Sequence, residues 1–208
     1  QSRVLESKGL SIGIVETIAG IKQLEVTIEG VSNHAGATPM NLRNDALCGA
    51  AEIILNAEKF ASDNGTLVAT VGFVDINPGK NNIIPGNVRL TLDIRDRDGF
   101  TLNEITDRII NSIDSTCENR SLTYSIKQAS YTKPVLLSKR VVEVIGNSAK
   151  NQGVGTLKMV SGAVHDSSVI AELADVGMIF VPSKNGRSHC PEEYTDLKDI
   201  EIATNILL

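Results

Sequence analysis

The stretch NVRLTLDIR, residues 87–95, decides the fold. Val88, Leu90, Leu92 and Ile94 fall on one side of an extended chain, with Arg89, Asp93 and Arg95 on the other. Period two with one polar face is the pattern of a half-buried strand, whose apolar side needs a layer to cover it. Just upstream, TLVATVGFV (66–74) is rich in β-formers, and the turn NPGKNN joins it to this strand. Further out, QLEVTIE (23–29) and LTYSIK (122–127) alternate in the same way.

The covering layer lies between these segments. Leu47, Ala50, Ile54, Ala57 and Ala61 recur at three and four, which predicts an amphipathic helix. Thr101 to Glu104 reads as a capping box that opens a second helix, with Leu102, Ile105, Ile109 and Ile113 inward. The order β-α-β-β-α-β therefore runs over residues 21–129. Two helices on one face of a four-stranded antiparallel sheet, a ferredoxin-like arrangement, satisfy every apolar face at once.

From residue 130 the pattern changes. Ser138 is placed to cap a helix carrying Val142, Ile145 and Ala149. LKMVS (157–161) reads as a short strand, residues 165–173 as helical, and GMIFVP (177–182) as a strand covered on both faces. Asp196 precedes a last helix. This α-β-α-β-α order predicts a parallel sheet with too few strands to close its own edges. Residues 130–208, with 1–20, thus read as parts of an incomplete α/β domain into which 21–129 is inserted.

The formal net charge of −5 argues against nucleic acid, which needs a basic face. No apolar run approaches the roughly 18 residues that span a bilayer, so no membrane partner is expected. Cys48, Cys117 and Cys190 are far apart and form no paired framework, and they read as reduced thiols of a cytoplasmic protein.

All three histidines sit in loops of small residues: SNHAGATP around His34, SGAVHDSS around His165 and NGRSHCPEE around His189. One loop histidine is ordinarily a solvated side chain, but imidazole is also the commonest metal ligand and general acid or base. His189 follows a strand, where α/β sheets place ligands. Its acidic neighbours Glu192, Glu193 and Asp196 equally suit a helix N-terminus. The His165-Asp166 pair reads either as functional or as a helix cap beside an incidental imidazole. Arg95 reads either as one member of a charged surface run or as a bidentate clamp for a carboxylate, with Asn82 orienting the same group.

Taken together, QSRVLESKGLSIGIVETIAG (1–20), NHAGATPM (33–40), NNIIPGNVRLTLDIRD (81–96), SGAVHDSS (161–168) and MIFVPSKNGRSHCPEE (178–193) resemble the hydantoinase/carbamoylase branch of the zinc-dependent aminoacylase and carboxypeptidase superfamily. The resemblance spans nearly the whole chain in the family order. It implies a metal-dependent amidohydrolase that cleaves a ureido or N-carbamoyl bond of a small carboxylate such as allantoate or an N-carbamoyl-L-amino acid. Two divalent ions, zinc or manganese, are implied, with His189 as a ligand. His34 is implied to reach the neighbouring subunit's site of a homodimer and stabilise an oxyanion. Its small neighbours would then leave the loop free to enter that cleft. Asn82, Arg95, His165 and Gly186 are implied at the substrate, and residues 21–129 as a lid and dimerisation domain.

Two departures stand out. The resemblance calls for further metal ligands and a catalytic Glu ahead of Gln1, and none of them is in this chain. Val164 also stands where the family usually has Gly or another residue before the His-Asp pair. With one ligand of the expected set, the alternative reading is a non-catalytic dimerisation fragment.

Overall fold

The computed structural model describes residues 3–208; Gln1 and Ser2 of the first expected segment lie outside the described residues. In chain order the elements are α1 (Val4–Lys8), β1 (Ile12–Ile18), β2 (Gly20–Glu29), α2 (Ala46–Asn64), β3 (Val68–Asn77), β4 (Asn87–Asp96) and α3 (Gly99–Asn119). They continue with β5 (Thr123–Thr132), β6 (Val135–Leu136), α4 (Lys139–Asn151), β7 (Thr156–Ser161), α5 (Ser167–Ile170), β8 (Met178–Phe180) and α6 (Leu197–Leu207). They fall into two compact units. One is Gly20–Pro134; the other joins Val135–Leu208 to the opening residues up to Ala19. The first unit is wider than 21–129 because β2 and β5 stay paired out to Ile21 and Thr132.

Gly20–Pro134 holds an antiparallel sheet of order β3-β4-β2-β5, backed by α2 and α3. That is the ferredoxin-like order. Val88, Leu90, Leu92 and Ile94 are fully buried against Leu24, Val26 and Ile28 of β2 and the inward residues of both helices. Ile53, rather than Ile54, is the fully buried isoleucine of α2.

Charge-assisted caps start both helices. Asp45 accepts hydrogen bonds from the Leu47 and Cys48 amides at 3.0 and 3.2 Å. Asp98 accepts from the amide and hydroxyl of Thr101, both at 2.8 Å. The expected capping box at Thr101 is thereby corrected: Thr101 lies inside the first turn, and the carboxylate three residues earlier takes the cap. Asp45→Ala should lower stability by about 1 kcal/mol, the usual cost of a lost cap. The check is a urea midpoint that falls at unchanged slope.

In the other unit the expected parallel sheet is only partly present. β1 is the central strand. It pairs parallel with β7 but antiparallel with β6 and β8. Between β7 and β8 only four residues are helical. A parallel return usually runs through a crossover helix packed along the sheet. Here the chain instead enters β8 running the opposite way, and the helix expected over 165–173 shrinks to Ser167–Ile170. Ser138 holds the cap position of α4 without a side-chain capping bond, whereas Asp196 caps α6 by accepting from the Lys198 amide at 2.9 Å. Among the described residues no helix is long and apolar enough to cross a membrane, and the three cysteines are unpaired.

Candidate functional site

In the Gly20–Pro134 unit, the loop carrying His34 is stitched to the loop between β3 and β4. The Ala35 amide donates to the Asn82 carbonyl at 2.9 Å and the Ile84 amide to the Asn33 carbonyl at 2.8 Å, and His34 forms an isolated bridge with Ile83. Arg43 braces the loop from within, donating to the carbonyls of Ala35 and Thr38. The structure therefore brings His34 and Asn82 together at one end of the sheet.

His34 itself is held in one protonation geometry. Its Nδ1 accepts from the amides of Gly36 at 3.0 Å and Ala37 at 3.2 Å. In the neutral ring the proton therefore sits on Nε2, which makes that nitrogen a donor. The close approach explains one small neighbour: a Cβ on Gly36 would lie 3.3 Å from His34 Cε1. The ring and the nearby Val31, Met40 and Leu42 side chains are exposed.

Arg95 is elsewhere. It lies eight positions from Asn87 on β4, roughly 27 Å along a strand rising about 3.4 Å per residue. Asn87 pairs with Glu29 and Asn77 at the end of the sheet from which the His34 and Asn82 loops leave. Within one chain, that length of strand separates Arg95 from the loop that carries Asn82. Arg95 is engaged by Asp93, with Nε to Oδ1 at 2.6 Å and Nη2 to Oδ2 at 3.0 Å. Asp93 also accepts from Gln23 at 2.9 Å, and Gln23 in turn accepts from Ser130 at 2.8 Å. Burial alone would raise the Asp93 carboxyl, but the hydrogen bonds from Arg95 and Gln23 outweigh it and hold it below the usual carboxylate range. The bonds to Asp93 raise Arg95 further above neutrality. Sequence reasoning passed over this partner because Asp93 sat inside a charged run.

In the other unit, Ser161 ends β7 opposite Ile18 of β1, so two parallel strands finish there. The His165 ring lies 2.7 Å by Nε2 from the Ser161 hydroxyl and 5.7 Å between ring centroids from Phe180. His189 sits in a left-handed conformation at φ 59°, uncommon outside glycine, with its amide donating to Glu193 Oε2 at 2.9 Å. Gly186 closes the short 3₁₀ turn Lys184–Gly186. β8 runs antiparallel to β1, so its carboxyl end, which leads toward His189, lies at the opposite end of the sheet from those of β1 and β7. An open cleft of about 430 Å³, lined by Glu6, Leu10, Lys184, Tyr194 and Asp196 among others, includes neither His165 nor His189.

Metal fit is tested by the donor set. Among the described residues no group of three or more His, Cys, Asp and Glu side chains could hold an ion. A zinc site takes about four ligands. The residues present do not by themselves hold the implied pair of ions.

The sequence matches the family described as peptidase family M20/M25/M40 over residues 3–208. An N-carbamoyl-L-amino-acid amidohydrolase of Paenarthrobacter aurescens is 38% identical over 210 residues, covering 100% of this chain and 51% of the relative. An allantoate amidohydrolase of Escherichia coli (strain K12) is 35% identical over 201 residues, 96% of this chain and 49% of the relative. Among solved structures, an amidase of the hydantoinase/carbamoylase family from Burkholderia multivorans superimposes with a TM-score of 0.96 at 32% identity. That match covers 99% of this chain and 50% of the other. The chain spans about half the length of the relatives it matches.

Proposed function

The chain belongs to peptidase family M20/M25/M40, in its hydantoinase/carbamoylase branch, and on that premise we propose that it serves hydrolysis of a ureido or N-carbamoyl bond in a small carboxylate substrate. The observation that carries the reading is the His34 loop. An exposed imidazole is locked with Nε2–H outward, an arrangement suited to donating a hydrogen bond to the oxygen that gains charge as the carbonyl is attacked. Asn82, stitched to the same loop, adds a polar side chain there.

Arg95 supplies the carboxylate clamp in this proposal. Its distance from His34 is several times the length of a small ureido acid, so one lid does not bring both groups to one substrate. The arrangement that uses both is a homodimer, with His34 and Asn82 of one copy meeting a substrate held by Arg95 of the other. Exposed Val31, Met40 and Leu42 around His34 supply apolar surface for such docking. Of the two open sheet edges, β3 exposes Val68, Phe73, Val74 and Ile76 and is the better candidate for pairing copies. His165 and Gly186 are assigned to the substrate, and His189 to a divalent metal that would polarise the carbonyl and activate water. The described residues do not complete a site for that metal. The unpaired thiols suit a cytoplasmic setting.

The absent donor cluster favours a second reading of the 208-residue chain taken alone: a lid and a partial α/β unit without turnover. Arg95→Ala in the whole protein tests the clamp. KM for a carboxylate substrate should rise about 30-fold or more, the loss of a charge-assisted pair worth roughly 2 kcal/mol. The amide analogue of that substrate should be insensitive to the change. Equal effects on both would remove Arg95 from the site.

A further inference from the structure

Ser161 is almost fully buried, and its hydroxyl has three neighbours. Oγ lies 3.1 Å from the Ala163 carbonyl, 3.2 Å from the Ala163 amide and 2.7 Å from His165 Nε2. A hydroxyl has one hydrogen and two lone pairs. The Ala163 carbonyl can only accept, and the Ala163 amide can only donate. If the hydroxyl hydrogen goes to the carbonyl, the lone pairs receive the amide N–H and an Nε2–H, and all three contacts are hydrogen bonds. If it goes instead to Nε2, the hydroxyl and carbonyl oxygens face each other with no hydrogen between them. Buried polar groups adopt the arrangement that leaves none unsatisfied.

We propose that Ser161 is a positioning residue that holds His165 as its Nε2–H tautomer, so that Nδ1 presents a lone pair to an N–H donor of the substrate. The inference rests on the assignment of His165 to the substrate made above. Its chemical content is new: the ring accepts rather than donates. A ureido or carbamoyl group ends in –NH2, which can donate to that lone pair. A formyl group ends in C–H and cannot. Ser161 is held at the end of β7 by the β1 pairing, with the Ala19 amide donating to its carbonyl at 2.8 Å. The Phe180 ring flanks the imidazole on another side. Backbone and packing thus fix both the hydroxyl and the ring it orients.

The direct test is the ¹⁵N shift pattern of the three histidines in the labelled chain, at a pH well above about 6.5, where imidazole ordinarily titrates. His165→Gln assigns the signal by its disappearance. Nε2–H at His165 is the expected result, and Nδ1–H overturns the inference; retained His34 and His189 patterns in His165→Gln show that this variant is folded and the assignment sound. In Ser161→Ala, His165 should shift toward a mixture of tautomers while His34 keeps its pattern. An unchanged His165 pattern there also overturns it. In the whole protein, Ser161→Ala should cut kcat/KM about tenfold for an N-carbamoyl amino acid, chiefly through KM, and by less than about twofold for the N-formyl analogue. Equal losses on both substrates would mean that Ser161 is merely structural. Turnover by the unmodified protein is a separate reading. Its failure on both substrates would refute the proposed function, while the tautomer still decides the present inference.

Discussion

With substrate well below KM, an equal mixture of His34→Ala and Arg95→Ala copies of the whole protein is expected to recover about a quarter of the normal rate, although each variant alone keeps only about a thirtieth or less. The reason is geometric. His34 lies beyond the Asn87 end of the lid sheet and Arg95 eight positions up β4, so the two cannot serve one substrate from one copy. In the proposed two-fold dimer each site would take His34 from one copy and Arg95 from the other. A mixed dimer then has one site with both lesions and one with neither. Random pairing makes about half the dimers mixed, each with one sound site of two, which yields about one quarter. The His34→Ala homodimer alone should lose about 10²–10³ in kcat, as when an oxyanion donor is removed. If mixing restores nothing while both single variants are folded and dimeric, the two-copy site is wrong.

Gly30→Ala should be the most damaging small substitution in the lid. A Cβ there would press on the Asn44 carbonyl oxygen, which is backbone and cannot swing aside, and would come within 2.9 Å of Leu122 Cδ2. That carbonyl accepts the Val31 amide at 2.9 Å, and Gly30 itself donates to the Gly86 carbonyl at 2.9 Å. Moving Asn44 therefore opens the clip at the base of the His34 loop. The expected loss is about 3 kcal/mol, the upper part of the usual range for overpacking. Turnover should fall by about 10²-fold even in the folded fraction, because a donor displaced by about an ångström no longer meets the developing charge. Gly99→Ala is the control: an added Cβ there meets only Pro134 ring carbons at 3.5 and 3.6 Å, ordinary contact, and the change should stay within about 0.5 kcal/mol. A Gly30→Ala protein as stable and active as this control would show that the loop tolerates a shift at its base.

The Gly20–Pro134 unit was largely legible in the sequence. Leu102, Ile105, Ile109 and Ile113 are all buried as their spacing implied, and so are Val88, Leu90, Leu92 and Ile94. Period two and period 3.6 mark which side of an element is covered, and that information is local. The cap of α3 was misassigned because Thr101 and Asp98 are both competent there, and only the hydrogen bonds separate them. Membership of the branch was also readable, since blocks such as NHAGATPM and the histidine-bearing loops survive as contiguous strings.

What the chain alone could not decide was everything set by a distant partner. The apolar run at β8 reads the same whichever way the strand points, and its antiparallel pairing with β1 is set only where the two strands meet. Asn82 and Arg95 are thirteen residues apart in a motif that reads as one unit, yet an extended strand carries them to opposite ends of the sheet. The proton positions on His34 and His165 depend on amides and a hydroxyl folded against the rings. Periodicity records a residue's own environment, whereas direction, separation and tautomer belong to pairs of groups and exist only once those groups have met.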